Sequence, residues 1–200
     1  MARLRYLVRL ANERDYKPPD WRSVSTAASE AIQDLGANVG AIRVGSKVVG
    51  LHLFIEKEDQ LNDALDRLGS SVGKVIDHRR LDVPLESKPK EVMIQDAKEM
   101  FNDERFWECH EILEKLWMDV GGREALSPEV KLLQGMVLIA AAFVHHQRAE
   151  DDIALNVLRR AKKKMDLWQD DQYLSLNISA MKGEIDRILD SGQVARFLLT

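Results

Sequence analysis

Residues 3–10 read RLRYLVRL. Leu4, Tyr6, Val8 and Leu10 alternate with Arg3, Arg5, Leu7 and Arg9, the two-residue period of a strand with one apolar face and one largely basic face. The order of elements after this strand decides the fold class. PPD (18–20) opens a helical stretch from Trp21 to Ala37, with Asp20 expected as its N-cap and Gly36 as its C-cap. NVGAIRV (38–44) and KVVGLHLFIE (47–56) read as strands joined by a tight turn at Gly45-Ser46. KEDQLNDALDRLG (57–69) reads as a second helix ending at Gly69, and GKVIDHRRL (73–81) as a fourth strand. The order β-α-β-β-α-β is the split-βαβ, ferredoxin-like arrangement. It predicts a four-stranded antiparallel sheet of order 4-1-3-2, with both helices on one face and the other face open.

Beyond residue 82 the period changes. Residues 83–90, with Pro84 and Pro89, read as a linker. Helical stretches then cover 91–101, 104–120, 127–147, 151–168 and 179–190, with Gly121-Gly122 as a stop and Ser127-Pro128 as a start. The chain is thus expected to be α+β: a ferredoxin-like domain over 1–82, then a bundle of about five helices over 91–200.

Composition narrows the function classes. With 45% apolar and 31% charged residues and a net charge of −4, the chain has an ordinary globular make-up rather than that of a dedicated nucleic-acid binder. The charge is uneven: residues 1–88 hold 14 Lys/Arg and 13 Asp/Glu, and the rest 15 and 20. The single cysteine, Cys109, can form no intramolecular disulfide, and no signal-peptide pattern opens the sequence, so a cytoplasmic setting is expected. The apolar run MVLIAAAFV (136–144) is too short to span a bilayer, and no membrane role is expected.

The richest stretch is ERFWECHEILEKLW (104–117). At 100° per residue Phe106, His110, Leu113, Glu114 and Trp117 share a helix face, with Glu111 on its flank. A further stripe, Gln134, Leu138, Ala141 and His145, can face it from the next helix. This pattern supports two readings. In one, His110, Glu111, Glu114, Gln134 and His145 form a polar cluster, a buried histidine–carboxylate network that fixes helix register or lines a ligand pocket. In the other, His110, Glu114 and His145 bind a divalent metal (Zn, Mn or Fe), with Glu111 as a fourth ligand or general base. HEILE is not the HExxH zinc signature, because Glu114 replaces its second histidine.

Taken together, Phe101-Asn102, Phe106-Trp107-Glu108-x-His110-Glu111-x-Leu113-Glu114-x-x-Trp117, Leu133-Gln134-Gly135 and the alanine-rich run to His145 resemble domain-of-unknown-function family 309 over roughly residues 93–165. The resemblance implies an all-helical domain centred on this motif and carries no activity. Glu104 stands where the family usually has glycine, and AEDDIA (149–154) replaces the Gly-Asn and Gly-Ala signals expected there.

The basic strand face supplies another candidate site: Arg3, Arg5, Arg9, Arg43, His52 and Phe54, with Lys74, His78 and Arg80 or their alternates. It offers one aromatic ring to a base, so RNA binding ranks behind docking of this face on the acidic half or on another subunit. Cys109 fits buried packing, and RRAKKKM (159–165) fits a solvated helix face. A non-enzymatic binding, regulatory or association module is therefore the first expectation, with a homo-oligomer or interdomain docking as its partner. A metal-dependent, hydrolase-like enzyme centred on FWECHEILEKLW is the second, and an RNA-associated protein using the basic sheet the third.

Overall fold

The computed structural model describes residues 3–124 and 126–200. The chain divides into two compact units, Met1–Pro84 with Gln147–Ala149, and Leu85–His146 with Glu150–Thr200.

In the first unit β1 (Leu4–Ala11), β2 (Asn38–Val44), β3 (Val48–Ile55) and β4 (Val75–Arg80) form an antiparallel sheet of order β2-β3-β1-β4. The register places Leu7 opposite His52 on one side and Arg79 on the other. Tyr6, Val8 and Leu10 therefore share a face with Leu51, Leu53 and Ile55, all of them buried with Val24, Ala28 and Ile32 of α1 (Trp21–Ile32) and Ala64 and Leu68 of α2 (Leu61–Ser71). The alternation in RLRYLVRL is thus the division between core and opposite face.

Three local expectations are corrected. Asp20 does not cap α1; its carboxylate accepts from the Lys17 N–H at 2.7 Å, closing the 3-10 turn that precedes the helix. The helix from Trp21 ends at Ile32 rather than Ala37 and passes through a 3-10 turn to Gly36, whose φ of 68° terminates it. α2 runs past Gly69 to Ser71, where Ser71 Oγ donates to the Ala27 carbonyl. The close approach nearby belongs to Gly73, where a Cβ would collide with the Ala11 carbonyl oxygen.

The second unit contains α3 (Lys90–Asn102), α4 (Phe106–Asp119), α5 (Pro128–His146), α6 (Asp151–Met165) and α7 (Ile178–Ser191). Pro128 sits at the first helical position, and Ser127 Oγ accepts from the Val130 N–H. α5 is long and apolar enough to cross a membrane by length and composition, yet more than half of its window is buried, as befits the central helix of a bundle. α5 and α6 pack closely at Gly135, where a Cβ would stand 3.2 Å from the Ala161 carbonyl oxygen and 2.5 Å from Met165 Cγ. A short hairpin, β5 (Gln172–Tyr173) and β6 (Leu176–Asn177), was not expected; two-residue strands carry no periodicity to read. Tyr173 donates to Glu129 at 2.7 Å and Lys90 bonds the same oxygen at 2.6 Å, tying the hairpin to α5 and α3.

Candidate functional site

On α4 the inward side is apolar. Phe106, Cys109, Leu113, Leu116 and Trp117 are buried. Phe106 does not join His110 in a shared site; its ring packs 4.9 Å from both Phe101 and Phe143. The ring beside His110 is instead Trp107, nearly parallel at 16° and 6.0 Å away. Glu108 is buried and bonded to Arg105 Nε at 2.9 Å. Burial and the neighbouring Glu108 raise the Cys109 thiol, so it is a packing group rather than a nucleophile.

His110 and Glu114 do approach each other, Nδ1 to Oε2 at 4.0 Å. That is too long for a hydrogen bond, and the Glu114 side chain is 54% exposed. The buried histidine–glutamate hub is therefore not formed; at 80° around the helix from Phe106, Glu114 reaches water. Burial holds the His110 imidazole below the ordinary histidine range, opposed by Glu114 and Glu111. His145 lies seven residues beyond Leu138, about 10 Å along α5, and its Nδ1 meets Glu150 at 2.6 Å. Among the described residues no three His, Cys, Asp or Glu side chains converge as metal ligands; His110, Glu114 and His145 are not brought together.

What α4 and α5 carry is a mostly buried row of polar groups. α4 and α5 pack on each other, and Gln134, Leu138, Ala141 and His145 are among the partly exposed residues of α5. Within this row His110 Nδ1, Trp117 Nε1 and Gln134 Oε1 are buried atoms with no hydrogen-bond partner among the described residues. No sequence signal identifies them, because satisfaction of a polar atom depends on its three-dimensional neighbours.

On the sheet, Arg5, His52, Phe54 and Arg43 fall on the face opposite the core, joined by Arg79 and Asp77 rather than by His78 and Arg80. An Arg5 guanidinium nitrogen lies 3.1 Å from His52 Nδ1, and the Arg5 guanidinium lies over the Phe54 ring at 6.0 Å. Arg9 pairs with Asp77, and Arg3 with Glu56 at the strand's start. Arg43 and His52 are each 3% exposed and Leu7 is equally buried, so the centre of this face is not open. Gly40 leaves room for the Phe54 ring, which a Cβ would meet at 3.1 Å. Burial, then the charges of Arg43, Arg5 and Arg79, pull His52 down to about 3.

No curated protein matches the chain. The FWECHEILEKLW helix and the whole of the alanine-rich helix packed on it lie in a segment, residues 94–157, that matches the model of the family described as Domain of unknown function (DUF309).

Proposed function

We propose that the protein is a non-enzymatic binding module in a cytoplasmic setting, and that its ligand contacts the mostly buried row of polar groups on α4 and α5. One observation carries this reading: the unpartnered buried atoms His110 Nδ1, Trp117 Nε1 and Gln134 Oε1. An unsatisfied buried polar group costs roughly 1–3 kcal/mol, and three on adjoining helices are a cost that a ligand would relieve. The row offers an indole N–H donor, an amide oxygen acceptor and an imidazole stacked on Trp107. That set suits a planar group with its own donor and acceptor, such as an aromatic amide. The first unit serves as scaffold in the same reading. Its element order and its strand order β2-β3-β1-β4 support a ferredoxin-like arrangement.

The test is a nitrogen-15 NMR titration with benzamide, following the Trp117 indole and the Gln134 side-chain amide. Both signals should move together, and Trp117→Phe should abolish the saturable shift while the protein stays folded. If benzamide at millimolar concentration leaves both signals in place, the row is not a site for this chemistry.

A further inference from the structure

Residues 193–200 continue from α7 without regular secondary structure, yet they are held as an extended ligand would be. Phe197 and Leu199 are each 6% exposed, while Leu198 between them is 57% exposed. That alternation belongs to an extended chain with one side seated in a groove. The Phe197 ring lies 5.3 Å from Phe101 and 5.6 Å from Phe143, so the groove has an aromatic floor.

The main chain is gripped separately. The Asn102 side chain accepts from the Leu199 N–H at 2.8 Å and donates to the Leu199 carbonyl at 3.0 Å. One amide thus supplies the donor and acceptor that a neighbouring strand residue would supply. Asn177 N–H donates to the Thr200 carbonyl at 2.8 Å. Arg196 donates to the Asn102 carbonyl at 2.6 Å and pairs with Glu104 at 2.7 Å. Glu104 holds φ at 60°, a left-handed conformation that is unfavourable for a non-glycine residue. Its side chain is only 12% exposed and presents the carboxylate to Arg196.

We propose that the corner between α3 and α4, with Phe101, Asn102 and Glu104 backed by Phe143, is a recognition groove for an extended segment of a partner protein. The segment it fits has the pattern Arg-aromatic-x-Leu, and residues 193–200 are its occupant in cis. Each element of the pattern is set by the wall that meets it. The Glu104 carboxylate takes the cation, the phenylalanine floor takes the aromatic ring, and Asn102 reads the main chain at the leucine. This is the division of labour of strand-like peptide recognition, with backbone bonds for affinity and alternate pockets for specificity. Gly192, at φ 67°, ends α7 and supplies the swivel from which the strap can leave. A tethered occupant competes at an effective concentration on the order of millimolar, so an incoming segment binds when the strap is weakened or when its own contacts are tighter.

The experiment uses fluorescein-labelled QVARFLLT, the sequence of residues 193–200, and the full chain carrying Phe197→Ala with Leu199→Ala. The peptide should bind this variant, and bind the unaltered protein at least roughly tenfold more weakly because the groove is occupied. Adding Asn102→Ala to the double variant should remove binding by a similar factor. A folded double variant that ignores the peptide, or binding indifferent to Asn102→Ala, overturns the proposal. Hydrogen exchange on the unaltered protein gives a second reading. The Leu199 amide should exchange about 100-fold faster than the Phe143 amide as the strap opens locally. Equal protection at the two sites means that the segment is fixed core, and the groove proposal falls. A concentration-dependent dimer joined through the strap would also overturn it, since the occupant would then be a second copy.

Discussion

Arg5 on β1 and His52 on β3 are joined side chain to side chain, guanidinium to Nδ1, across 3.1 Å. A guanidinium has no acceptor, so Nδ1 must accept and the ring's single proton sits on Nε2. The bond fixes both the tautomer and the charge of His52. A protonated ring would lose this bond and face Arg5, Arg43 and Arg79 as a fourth cation.

This relationship predicts acid sensitivity. The unfolded imidazole takes up a proton near its ordinary value of 6.5, whereas the folded one resists until about 3. Between those values the unfolded state binds more protons, so stability falls as pH falls. The contribution is intact above 6.5 and is lost from there down to about 3, at up to about 1.4 kcal/mol per pH unit. Urea unfolding midpoints measured across this window should drop accordingly, and His52→Gln should flatten the slope. An unchanged slope in that variant would show that other groups carry the acid transition.

At Gly135 the constraint is steric. A methyl group there meets the Ala161 backbone oxygen, which cannot move without shifting α6, and Met165 Cγ, which can move only partly. Gly135→Ala should destabilise the protein by about 1–3 kcal/mol despite alanine's better helix propensity. A stabilised variant in thermal denaturation would mean that α5 and α6 separate more freely than their packing implies.

Ala149 carries a φ of 57° with no side chain to justify it. Ala149→Gly removes a left-handed penalty of roughly 1–2 kcal/mol and gives back roughly 0.4–1 kcal/mol of unfolded-state entropy. A net gain of about 0.5–1 kcal/mol is expected from chemical denaturation. Glu104 also has a positive φ, but its ion pair with Arg196 would be lost with the side chain, so Glu104→Gly should gain less.

Within the α4 row two substitutions should behave oppositely to the expectation of a buried hub. His110→Ala should cost only about 1 kcal/mol, the value of its stacking on Trp107 and partial burial, because Glu114 is already solvated. Trp117→Phe should be neutral or mildly stabilising, since it deletes an indole N–H with no partner. Trp117→Ala, by contrast, should cost about 3–5 kcal/mol. A loss of several kcal/mol in His110→Ala would restore the histidine as a structural centre.

Periodicity and breakers are local properties, and they suffice to place the four strands, the helix starts at Trp21 and Pro128, and the change from sheet to bundle. The same locality explains the misses. Whether Asp20 caps a helix or closes a turn, and whether Glu114 is buried or wet, depends on a few tens of degrees of helix phase and on what packs opposite. The β5–β6 hairpin and the strap over Phe101 were invisible because two-residue strands and an irregular segment carry no period.

By itself, then, the sequence determined the α+β organisation and the split of RLRYLVRL into core and basic faces, because alternation and capping act over a few residues. It also pointed to the motif helix within 94–157 as the chemically richest element. Only tertiary structure decided which of the motif's groups meet. His145 bonds Glu150 instead of His110, Trp107 replaces Phe106 beside the imidazole, and Asn102 grips a main chain 97 positions away. Hydrogen bonds and desolvation act over about 3 Å of space, whatever the separation along the chain.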